Sequence, residues 1–301
     1  MMKKICLIIL ALFCIGNAYG QNDGPGNTGL AFLKLPVSSR AVALGESVVS
    51  NSTDASATFY NPACLFLGSG VNAIFMHNQQ ILDIRTDYLA TKFTVNKLAF
   101  GVSLNNTAVD NIQVRDIPGP PIDMFNAQNF AFGLSAAYKV NEMLQLGITG
   151  KFLYEKIYLD NASGYGFDIG GYFTKSGVSA GLTIANFGKM SALADQSSVL
   201  PTSLRFGASY NFSFPKITSG LRIGADGFKV FNGGIFHANL GAEFTYKDFL
   251  SVRAGYQSGY TDRFLTTGIG LKYKMFNLDY AFVPYRYSLG NSHTITLGAS
   301  F

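Results

Sequence analysis

The sequence predicts an all-β protein: a transmembrane antiparallel β-barrel of about 14 strands with a short helical N-terminal plug. Three observations lead there. Only 14% of the 301 residues are charged, against about 25% in an average soluble domain, while 48% are hydrophobic and mean hydropathy is +0.19. After residue 20 no apolar run approaches the roughly 18 residues that a spanning helix needs. From about residue 70 onward apolar residues take alternate positions, the period of a strand with two unlike faces. Too apolar for a soluble domain and too finely alternating for membrane helices, the chain is left with the barrel.

The first element is a leader. Lys3 and Lys4 precede an apolar run from Ile5 to Ile15, and Ala18-Tyr19-Gly20 ends it, which reads as a secretory signal peptide over residues 1–20. Phe13 before Cys14 argues against a lipid anchor. Cleavage after Gly20 would take Cys6 and Cys14 and two lysines away, leaving Cys64 alone and the formal charge at +3 instead of +5. One cysteine in an exported chain excludes a disulfide framework. The remaining basic residues form no run, so nucleic-acid binding has no electrostatic footprint.

The second element, residues 21–69, opens with Gly24-Pro25-Gly26 and shows helical rather than alternating patterning. Asp54 is placed to cap a short helix through Ala55–Tyr60, and Asn61-Pro62 to end it. Fourteen strands enclose a wider lumen than the eight whose side chains fill a barrel, so this segment is expected to be the plug.

The third element, residues 70–301, is the barrel. Fourteen alternating segments are expected: 70–79, 84–95, 97–107, 128–140, 143–157, 161–174, 176–186, 201–212, 217–231, 234–246, 249–258, 264–274, 276–285 and 292–301. The alternation is plain in Phe130, Phe132, Leu134, Ala136 and Tyr138, and in Ile295, Leu297, Ala299 and Phe301. It is least clear in the second segment. Tight turns at Asn96, Asn141-Glu142, Lys175, Pro215-Lys216, Lys247-Asp248 and Lys274-Met275 follow every even strand and are expected to be periplasmic. Longer connections, notably 108–127 and 187–200, would face outward, although the one at Asn232-Gly233 is short. Both mature termini would then be periplasmic, in the outer membrane of a Gram-negative bacterium. A soluble sandwich also alternates, but its exterior is charged, whereas the alternate face here is mostly Gly, Ser and Thr.

Inward parity holds ten charged residues: Lys139, Lys151, Asp168, Arg205, Arg222, Asp226, Glu243, Arg253, Lys272 and Asp279. They either pair across strands as a hydrated wall or grip the plug. Their mixed signs argue against a wide ion-selective pore. Outward Leu240→Lys and Leu271→Lys are expected to be costly near the membrane midplane, and inward Asn239→Lys and Gly270→Ser to be milder. Chemistry is sparse. Gly177-Val178-Ser179-Ala180-Gly181 matches the nucleophile-elbow spacing but lies in a strand. His77, His237 and His293 fall on separate strands without acids at metal-ligand spacing. No catalytic residue, cofactor site or metal site is expected. An aromatic Phe301 closing an alternating last strand is the expected signal for the barrel-assembly machinery.

Two N-terminal stretches resemble a known family: Phe32-Leu33-Lys34-Leu35-Pro36 with Ser39-Arg40-Ala41-Val42-Ala43-Leu44-Gly45, and Asp54-Ala55-Ser56-Ala57-Thr58-Phe59-Tyr60-Asn61-Pro62-Ala63. Tyr154-Glu155-Lys156-Ile157, Ile184-Ala185-Asn186-Phe187-Gly188, Leu200-Pro201, Arg253-Ala254-Gly255-Tyr256 and Leu278–Tyr285 follow in the family's order. Together they resemble the PorV/PorQ family, a branch of the FadL-like outer-membrane proteins. The resemblance makes Arg40, Gly45, Asp54, Tyr60, Asn61 and Pro62 the plug motif. It implies a non-enzymatic barrel serving type IX secretion, with outer-membrane lipid, exported proteins and other secretion components as partners. FadL-like transport of hydrophobic small molecules is the alternative, and a structural or adhesive barrel a third. The chain departs from the family pattern at Glu46 and Cys64, where glycine is usual. Left-handed backbone at residue 64 is therefore not expected, since cysteine tolerates positive φ poorly.

Overall fold

The computed structural model describes residues 26–301; the expected signal peptide and residues 21–25 lie outside the described residues. Fourteen antiparallel strands close into one barrel. In chain order they are β1 Val71–Gln79, β2 Ile84–Val95, β3 Leu98–Val114, β4 Asp123–Lys139, β5 Leu144–Ile157, β6 Asp160–Lys175 and β7 Val178–Met190, then, after a small hairpin of β8 Ala192–Leu193 and β9 Gln196–Ser197, β10 Ser203–Phe214, β11 Ser219–Val230, β12 Phe236–Tyr246, β13 Leu250–Ser258, β14 Leu265–Tyr273, β15 Phe276–Pro284 and β16 Asn291–Ser300. β1 closes on β16 in register from Asn72 opposite Ser300 to Gln79 opposite His293.

The faces are inverted relative to a soluble protein. On β16, Ile295 and Leu297 are 44% and 53% exposed, while Thr294 and Thr296 between them are 0% and 1% exposed. That is the pattern of a wall whose outer solvent is hydrocarbon.

All fourteen expected segments are strands, with one systematic difference. β3 runs on to Val114 and β4 begins at Asp123, so the expected 108–127 loop is largely a projecting hairpin with a bulge between Val109 and Ile112. β7 likewise extends to Met190. Beyond the membrane both faces meet water, so backbone pairing continues where side-chain alternation has lost its cause. Short turns gather at one mouth and the longer connections at the other; 158–159 is a second short one at the latter.

The N-terminal segment fills the lumen: every residue from 37 to 52 is buried. It is built of short pieces, the 3-10 turns Ala31–Lys34 and Pro62–Phe66 and the helices Ser39–Ala43 and Ala57–Tyr60. Asp54 accepts the amide of Ser56 at 2.9 Å and so caps the turn leading into the second helix. Asn61 accepts the Ala63 amide at 3.1 Å while Pro62 opens the 3-10 turn, which ends that helix. Inward glycines make room for the plug backbone. A Cβ on Gly181 would overlap the Val49 carbonyl, and one on Gly255 the Gly45 amide.

The described residues begin at the long-connection mouth, where the Gly29 amide donates to the Val199 carbonyl at 2.9 Å, cross the lumen, and join β1 at the short-turn mouth. The Phe301 amide donates to Val71 at that second mouth. The two described ends therefore lie at opposite mouths, because the plug runs lengthwise through the barrel; the expected mature N-terminus lies outside the described residues.

Candidate functional site

The charged residues of the lumen converge on the plug. Glu243 of β12 is the hub: Arg40 donates to it through Nε at 2.8 Å and Nη2 at 2.9 Å. Arg253 adds a bond at 2.7 Å and Arg222 one at 3.0 Å. Arg253 also reaches Asp279 at 2.5 Å, and Asn277 supports that carboxylate at 3.0 Å. Three guanidinium groups thus surround two carboxylates in a buried cluster. Its register makes this possible, since Arg222, Glu243 and Arg253 are direct cross-strand partners on β11, β12 and β13. Arg40 further donates to the Asn51 carbonyl at 2.9 Å, holding the plug's own chain in place.

A second grip joins Arg205 of β10 to Glu46, by carbonyl at 2.8 Å and carboxylate at 3.2 Å. Arg205 also lies over the rings of Phe228 and Tyr60, at 4.6 and 5.6 Å. Glu46 has φ +62 and follows Gly45 at φ +61, so the left-handed backbone of a glycine pair survives with a carboxylate added. Cys64 sits instead in a 3-10 turn, and Gly68 takes the positive φ. A third grip is Asp226, one oxygen of which accepts the amides of Val48 and Val49 at 2.8 and 2.9 Å. Asn61 completes the motif by donating to Val49 at 2.8 Å and to Gly171 of β6 at 3.1 Å, and the Tyr60 hydroxyl accepts the Val37 amide at 3.2 Å.

One contact escapes the sequence reading. Lys92 of β2 is fully buried and donates to the carbonyls of Thr53, Leu65 and Leu67, clamping the plug where it enters β1. Inward parity on β2 was the only signal for it, and that strand's alternation is the least legible. Lys151 pairs with Asp168 at 2.7 Å, and Asp168 also takes the Asn186 amide at 2.8 Å beside a bulge where Asn186 has φ +60. Lys272, expected among the lumen charges, is exposed at the short-turn mouth because β14 ends one residue later. Lys139 is also near that rim and pairs with Glu142 at 2.7 Å.

Space for a ligand is small. A cavity of about 50 Å³ lies between Glu46, Asn78, Gln257, Arg263 and Tyr285, and one of about 10 Å³ beside Asn105 and Lys151. Ser179 of the elbow-like pentapeptide bonds to Tyr172 at 2.9 Å. His77 bonds to Asp87 at 2.7 Å, His293 to Tyr280 at 2.7 Å, and His237 stacks on Tyr260 at 4.0 Å. Among the described residues no group of three or more His, Cys, Asp or Glu is arranged to hold a metal ion.

Comparison with known proteins places this geometry. Among solved structures, the chain is similar to the CymD monoaromatic hydrocarbon channel, with a TM-score of 0.61, 14% identity, and 91% of this chain and 99% of that one covered. It is also similar to the toluene transporter TodX of Pseudomonas putida, with a TM-score of 0.60, 14% identity, and coverage of 88% and 97%. At that identity the likeness is one of fold alone. No curated protein matches the chain in sequence. The family model of the type IX secretion system protein PorV matches residues 20–225, which takes in the plug motif, the Arg205 strand and the first half of β11. The chain therefore belongs to the family of the type IX secretion system protein PorV.

Proposed function

We propose that the protein is a plugged, non-enzymatic outer-membrane barrel that serves type IX secretion by receiving or holding exported proteins at its long-connection mouth. The observation that carries this reading is the filled lumen. Arg40, Glu46 and the Val48–Val49 backbone are each tied to the wall by buried charge, and the cavity of about 50 Å³ is well below the roughly 150 Å³ that accommodates benzene. A barrel so filled does its work on its surface.

In this reading the short turns are periplasmic, residues 1–20 are removed on export, and Phe301 is read by the barrel-assembly machinery. Exported proteins and other secretion components are the partners. The plug motif and lumen charges act together as a seal.

The fold shared with two hydrocarbon channels favours a second reading, transport of hydrophobic small molecules after the plug rearranges. Deleting the gene in the source bacterium separates the two. Secretion predicts that specific exported proteins disappear from the cell surface, that they co-purify with the barrel from wild-type cells, and that hydrophobe uptake is unchanged. Intact surface proteins with reduced hydrophobe uptake would replace the first reading by the second.

A further inference from the structure

We infer that the short-turn mouth rests on anionic lipid headgroups through a ring of lysines. Each of the six short turns carries a lysine within it or at its edge: Lys97, Lys139, Lys175, Lys216, Lys247 and Lys274. Against them stand the acidic side chains of Glu142, which pairs with Lys139, and Asp248. The connections at the other mouth carry no such excess, since Asp83, Asp116, Asp195 and Asp262 offset Arg115, Arg263 and Arg286.

Turn geometry does not call for these lysines. Lys247 and Lys274 have φ +50 and +54, positions where glycine or asparagine fits with less strain. Their height fits a lipid partner. Exposed aromatic residues, among them Phe214, Tyr246, Tyr273 and Phe276, flank the turns as an interfacial girdle does, and Lys247 and Lys274 lie over the rings of Tyr246 and Tyr273 at 5.1 and 5.4 Å. The ammonium groups thus sit one step beyond the aromatic belt, at headgroup level. Their spread around the whole circumference matches a lipid annulus, which surrounds the barrel, better than a protein partner, which would meet one side. The expected ligand is the phosphate of acidic phospholipids in the periplasmic leaflet. That choice of leaflet rests on the orientation proposed above; the charge pattern itself does not.

The test uses full-length protein in phosphatidylcholine vesicles with spin-labelled phosphatidylglycerol and phosphatidylcholine as probes, so both leaflets are alike and orientation plays no part. Wild-type protein should hold phosphatidylglycerol at its boundary in excess, on the order of fivefold for a lipid in contact with one lysine. The excess should collapse in about 1 M salt, where the Debye length falls to about 3 Å. It should also collapse when Lys97, Lys175, Lys216 and Lys274 are all changed to Gln, with circular dichroism verifying the fold. If that variant fails to fold, the salt response of the wild type decides. Equal retention of the two probes by the wild type would overturn the inference and leave an acidic protein surface as the partner to seek. An excess that persists in salt or in the folded variant would overturn it as well.

Discussion

Arg40 of the plug and Glu243 of β12, 203 residues apart in sequence, meet in a two-point ion pair with both side chains under 10% exposed. Removing one partner of such a pair strands the other charge, at a cost of about 3–5 kcal/mol. Arg40→Met should therefore undock the plug while the barrel stays folded, read as faster proteolysis of the N-terminal segment in detergent. Glu243→Gln should be worse, since it leaves Arg40, Arg222 and Arg253 facing one another. Arg40→Lys should recover part of the loss, because an ammonium cannot make the two parallel bonds. Equal protease resistance in all four proteins would mean that the cluster does not hold the plug.

Gly181→Leu should have the same effect for a steric reason, as its side chain would occupy the place of the Val49 carbonyl. Ala180→Val, one residue away on the outward face, is the control and should leave the plug docked. Should both variants behave alike in proteolysis, the close approach of plug and wall at Gly181 is not what seats it.

Leu240 and Leu271 both face outward but differ in depth. Leu240 lies in the middle of β12, whereas Leu271 is two residues from the end of β14. Leu240→Lys should cost about 2–4 kcal/mol and Leu271→Lys only about 0–1 kcal/mol, measured by reversible denaturation in vesicles. The expectation that inward changes are mild does not survive the structure. Asn239 is 1% exposed, and a Cβ on Gly270 would come within 2.7 Å of the Arg253 guanidinium, so Asn239→Lys and Gly270→Ser both intrude on a filled lumen. Each should destabilise more than Leu271→Lys.

The strands were legible because hydrocarbon outside the wall imposes one rule on every second residue, visible in Leu297 or Phe130 without knowledge of any partner. Their ends were not, since past Val109 no such rule operates. The plug's existence was legible from its change of period. Its contacts were not, because the partners of Arg40, Glu46 and Val48 lie at Glu243, Arg205 and Asp226, and only barrel closure brings them together. Lys92 shows the limit most clearly: a lysine bonded to three plug carbonyls is indistinguishable in sequence from one facing water.

Cys64 offers a reporter of plug docking. Its thiol is fully buried, 3.4 Å from the Val49 carbonyl, and burial pushes it up to about 12. The thiolate is the nucleophile, so a buried, protonated thiol is unreactive. Maleimide should label folded wild-type protein very slowly at pH 8. Labelling should accelerate toward the rate of an exposed cysteine in Arg40→Met or Lys92→Met. Rapid labelling of the wild type would show that the plug leaves the lumen unaided.

Conductance tests the plugged-barrel account most directly. Fourteen strands enclose more space than their own side chains fill, and the N-terminal segment, buried throughout residues 37–52, takes up most of it. In planar bilayers the intact protein should stay closed, and a folded variant lacking residues 21–60 should open steady channels of large conductance. If the truncated barrel, folded by circular dichroism, conducts no more than the intact one, the N-terminal segment is not what seals the lumen and the account fails.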